Sequence, residues 1–91
     1  MRLVSQNGNV DIPYEKAHIL CNMECVMARV GNYEYTLGKY SDKSKALKVM
    51  EMLREEYLKY CTARTSEYWF AFNNPKVFKF PVDEEVEVQD E

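Results

Sequence analysis

Between residues 45 and 61 the apolar positions Ala46, Val49, Met50, Leu53, Tyr57, Tyr60 and Cys61 recur at helical spacing and form one stripe. Lys45, Lys48, Glu51, Glu55, Glu56 and Lys59 fall largely outside it. The pattern predicts an amphipathic helix over 42–62. Ser41 is the expected N-cap, with Asp42 in the first turn complementing the helix dipole. Ser44 stands where a capping box would place Glu, so only half of that motif is present.

Elsewhere the period is two. Asn7-Gly8 is a strong turn signal, because a type I′ turn needs positive φ at both central residues. Closing a hairpin there sets Leu3 opposite Ile12 and Ser5 opposite Val10. Pro13 cannot donate to a ladder and should end the second strand or lie on an edge. A second hairpin closes on Gly31-Asn32, between runs at 24–30 and 33–39. Its register pairs Val30 with Tyr33, Ala28 with Tyr35 and Val26 with Leu37 on one apolar face. Arg29–Glu34 and Met27–Thr36 pair on the other face, and a one-residue slip would mix the two. The helix is expected to cover Tyr33, Tyr35 and Leu37. The run 17–21 reads either as a separate strand, with a turn at Asn22-Met23, or as the start of a longer bent one.

After Thr62 the strongest signal is Tyr68-Trp69-Phe70-Ala71-Phe72, followed by the turn Asn73-Asn74-Pro75 and by alternation at Val77-Phe78-Lys79-Phe80. A third hairpin of 68–72 with 77–80 is expected. The sum is an α+β fold: an antiparallel, hairpin-rich β-sheet of five to seven strands covered on one face by one long α-helix.

Composition narrows the class. Ninety-one residues at 46% apolar and 30% charged suit one globular domain. No apolar run reaches the roughly 18–20 residues of a membrane span, and the N-terminus turns polar too early for a signal peptide. A cytoplasmic protein is the expectation. Cys21, Cys25 and Cys61, an odd number, read as thiols rather than a disulfide framework. The net charge of −3 is uneven: Asp83, Glu84, Glu85, Glu87, Asp90 and Glu91 crowd the end, leaving nine acids against twelve basic residues in 1–82. The expected division is a domain over 1–82 and a flexible acidic tail over 83–91.

Several segments together resemble a group of small uncharacterised proteins of Gram-positive bacteria and their phages. They are the opening Met1-Arg2-Leu3-Val4-Ser5-Gln6-Asn7-Gly8 with Asp11 and Pro13-Tyr14-Glu15, then Leu37-Gly38-Lys39-Tyr40-Ser41 before Lys45-Ala46, and Phe80-Pro81 before the acidic end. The matching motifs are turns, a helix start and a strand end. The resemblance implies a phage or mobile-element origin; it implies no activity and assigns no functional residue.

Candidate chemistry is sparse. His18, Cys21, Cys25 and Cys61 are metal-ligating types, but structural zinc sites use tighter paired spacings. On a continuous strand, side chains four residues apart lie about 13 Å from each other. Gly8, Gly31 and Gly38 form no phosphate loop, and Glu55-Glu56 are adjacent on a helix and do not converge. No catalytic residue, metal or cofactor is assigned, and a non-enzymatic protein is expected.

Two binding surfaces stand out. Tyr68, Trp69, Phe70 and Phe72 exceed what one sheet face needs, and tyrosine and tryptophan are common interface anchors. They are the expected contact for a protein partner, such as a bacterial defence protein that this chain inhibits, or for a second copy in a homodimer. The alternative is a nucleic-acid-associated accessory protein using Lys39, Tyr40, Lys43, Lys45 and Lys48 at the helix start. Interspersed acids argue against nucleic acid as a partner.

Overall fold

Six strands and one long helix make up the described residues, 1–64 and 77–88, of the computed structural model. β1 (Arg2–Val4) pairs antiparallel with β2 (Asp11–Pro13), and Leu3 faces Ile12 as the turn signal predicts. The turn itself is not type I′. Gly8 has φ of 78° but Asn7 stays at negative φ. Side chains close the loop instead. The Ser5 hydroxyl donates to Asn7 Oδ1 at 2.7 Å and accepts from Val10 N at 3.1 Å, and Ser5 N donates to Val10 O at 2.9 Å. The open side of β1 takes β6 (Val77–Lys79) in parallel, with Leu3 opposite Phe78.

The second sheet is a meander of β3 (His18–Asn22), β4 (Cys25–Val30) and β5 (Tyr33–Lys39), with β4 central. The run at 17–21 is thus a separate strand, and its turn falls at Met23-Glu24, one residue later than expected, with Met23 at φ 56°. Gly31 at φ 61° followed by Asn32 at negative φ has the sign pattern of a type II′ turn. From it the register runs as predicted through Val30–Tyr33, Arg29–Glu34, Ala28–Tyr35 and Met27–Thr36. It then departs: a bulge between Val26 and Met27 places Val26 opposite Gly38, not Leu37. The extra residue turns both Leu37 and Gly38 into the interior.

The fold is α+β, but the strands form two three-stranded sheets instead of one sheet of five to seven. Pro13 ends β2, and the 3-10 turn Tyr14–Lys16 redirects the chain before β3, so the two hairpins do not join. The expected third hairpin has its first strand outside the described residues; its second is β6, bound to β1.

α1 (Lys43–Arg64) starts one residue later than expected. Asp42, not Ser41, is the cap: its Oδ1 accepts Lys45 N at 3.0 Å. Ser41 N is held instead by Asp83 Oδ1 at 2.7 Å. The helix lies chiefly against β3 and β4, burying Ala46, Val49 and Leu53. Tyr33, at the start of β5, remains 70% exposed rather than covered.

The two sheets and the helix share one core, with Leu3, Val26, Leu37, Leu53 and Phe80 at its centre. Gln6 fastens the sheets together. Its backbone N–H donates to Leu37 O at 2.9 Å, its Oε1 accepts Lys39 N at 2.9 Å, and its Nε2 donates to Pro81 O at 2.9 Å. Of the acidic segment, the 3-10 turn Asp83–Glu85 docks on the start of α1 through Ser41 and Lys45, and Val86 enters the core at 3% exposure.

Candidate functional site

A well-formed concavity follows from the break between the hairpins. Once Pro13 stops β2, the 3-10 turn swings Tyr14 under the helix, where its ring meets Tyr57 at 4.3 Å between centroids, tilted by 35°. Tyr57 in turn lies 6.0 Å from Tyr60. Tyr14 N donates to Met1 O at 2.9 Å and Ala17 N to Tyr14 O at 3.1 Å, which fixes the turn at both ends. β3 supplies the opposite wall. The result is an open-sided cleft of about 500 Å³ lined by Tyr14, Glu15, Ala17, His18, Ile19, Met50, Leu53, Arg54 and Tyr57.

Its helical wall uses one face: Met50, Leu53, Arg54 and Tyr57 stand at spacings of three and four. Leu53 belongs to the core, Met50 and Tyr57 pack against it, and Arg54 is exposed at the rim. A hydrogen bond between the side chains of Tyr57 and Cys61, then burial, hold the Tyr57 phenol above its ordinary value, so it stays protonated at neutral pH. The Glu15 carboxylate is engaged by the Met1 amino group, at 2.8 and 3.1 Å. Arg54 has no carboxylate partner among the described residues. Among the described residues that line it there is no serine, threonine or cysteine.

The residues singled out from sequence fall elsewhere. Tyr68, Trp69, Phe70 and Phe72 lie outside the described residues. Of the four lysines at the helix start, two lie against carboxylates. Lys45 Nζ lies 3.3 Å from Asp83 Oδ2, and Lys48 Nζ 3.4 Å from Glu51 Oε1. Lys39 and Lys43 are exposed. Tyr40 is only 3% exposed, with its hydroxyl donating to Pro81 O at 2.8 Å. Burial drives the Tyr40 phenol well above its usual range, against the opposing effect of a hydrogen bond with Gln6. A ring held this way presents no face for a base to stack on.

The thiols are separated by the sheet. The turn at Met23-Glu24 sets Cys21 and Cys25 on neighbouring strands, yet Cys21 faces Val26 and Cys25 faces Asn22, on opposite sides. Among the described residues no group of three or more His, Cys, Asp or Glu is placed to hold a metal ion.

Sequence reading missed the cleft because its parts carry other meanings. Met50 and Tyr57 belong to the helical stripe and read as core, while Tyr14 follows a proline with no periodic signal. The available clue was the stripe's own chemistry, since its far end changes from aliphatic residues to Tyr57 and Tyr60, whose hydroxyls suit a rim better than an interior. Among the described residues no helix is long and apolar enough to cross a membrane. No protein-family model, curated protein or solved structure matches this chain.

Proposed function

We propose that this protein is a non-enzymatic, protein-binding accessory module whose docking site is the cleft between the Tyr14–Lys16 turn, β3 and α1. The observation that carries this reading is the composition of an open wall: two tyrosines in ring contact, a methionine and an exposed arginine around about 500 Å³ of accessible space. Tyrosine and arginine are enriched among residues that dominate binding energy, and methionine adapts its shape to what it meets. The phage or mobile-element setting, and inhibition of a bacterial defence protein within it, rest on the resemblance of the opening and helix-start motifs. Nucleic acid is not carried forward as a partner, given the burial of Tyr40 and the pairing of Lys45 and Lys48.

Affinity capture from a host lysate tests the reading, with wild type compared against Tyr57→Ala and Arg54→Ala. Arg54 is exposed, so the second variant strips a side chain from the cleft rim without disturbing the core. A discrete protein retained by wild type and lost with both variants, each still folded by circular dichroism, is the expected result. Equal retention by all three would exclude the cleft as the docking site.

A further inference from the structure

Resting on that reading, we infer that the cleft takes an acidic peptide segment of the partner, with an apolar side chain seated against the Tyr14–Tyr57 pair and a carboxylate meeting Arg54. Among the described residues that line it, those with acidic or basic side chains are Glu15, His18 and Arg54. The negative charge is already met, both Glu15 oxygens lying within 3.1 Å of the Met1 amino group. Arg54 is exposed and unpaired among the described residues, while two other helix cations, Lys48 and Lys59, each lie against a carboxylate one turn away. Lys16, exposed on the adjoining turn, adds a second positive charge nearby. A planar guanidinium beside apolar and aromatic surface matches a carboxylate flanked by an aromatic or aliphatic side chain. A basic segment would meet Arg54 and Lys16 with like charge.

The test is a nuclear magnetic resonance titration of the full chain with acetyl-Glu-Phe-Glu-Leu-Asp-amide and with its uncharged counterpart acetyl-Gln-Phe-Gln-Leu-Asn-amide. The acidic peptide should shift amides in 14–19 and 50–57, bind about fivefold more tightly than the neutral one, and weaken as salt rises. Arg54→Glu, on an exposed helical position, should leave the free spectrum otherwise unchanged and abolish the preference. Equal binding of both peptides at these residues would overturn the acidic assignment while leaving the cleft a docking site. Absence of any shift there, or shifts produced by raising the protein concentration alone, would overturn the acidic occupant; the second result would assign the cleft to another copy of the chain.

Discussion

Gly38 and Tyr40 illustrate how one small residue fixes a large one. A Cβ on Gly38 would lie 2.6 Å from Tyr40 Oη, 2.8 Å from Cε2 and 3.0 Å from Cζ. The ring has little room to retreat, because it is buried and its hydroxyl is tied to Pro81 O. Gly38→Ala should therefore destabilise the fold by about 1–3 kcal/mol, as overpacking does. Equilibrium urea unfolding reads this directly, and an unchanged midpoint would show that the ring moves aside freely. None of this contact was legible in the sequence. Gly38 sits inside a strand pattern, where its absence of a side chain marks a bulge or a close approach without saying which, and here it marks both.

At the scale of elements, α1 shows what periodicity reveals and what it hides. The buried face through Ala46, Val49 and Leu53 follows from the stripe, because a 3.6-residue repeat leaves one solution. The start of the helix does not. Its first turn holds no acid and carries Lys43 and Lys45, a poor arrangement against the dipole. Asp83, far along the chain, adds a second carboxylate beside the Asp42 cap, and no local pattern predicts a contact between residues 41 and 83. The Ser41 N–H holds the Asp83 carboxyl below the usual range; desolvation opposes it, and Lys45 adds to it. The sign follows: this contribution is present above the unfolded value near pH 4 and is lost as pH falls through the lower folded one. Asp83→Asn should accordingly lower stability at neutral pH and flatten its decline as the pH falls below about 5. Parallel acid limbs for wild type and variant in denaturant unfolding would show that Asp83 does not contribute.

For the whole molecule, the decisive step is the break after β2. Alternation and turn signals predict pairs in two of the hairpins, including Leu3 opposite Ile12 and Arg29 opposite Glu34. It says nothing about whether hairpins join, which depends on where a proline and a three-residue turn send the chain. Because Pro13 and Tyr14–Lys16 separate the sheets, the helix is left spanning β3 and β4 with Tyr57 and Arg54 beside an open wall. The candidate site is thus a consequence of topology, assembled from a turn, a strand and a helix that no contiguous motif links. Photo-crosslinking from its rim is the most direct measurement. With benzoylphenylalanine in place of His18, illumination in the cells that produce the protein should give one discrete adduct, absent when Arg54→Glu is also present. The same probe in place of the exposed Thr36, on β5, should give none. An adduct from position 36 with none from position 18 would contradict the placement of the binding site in the cleft.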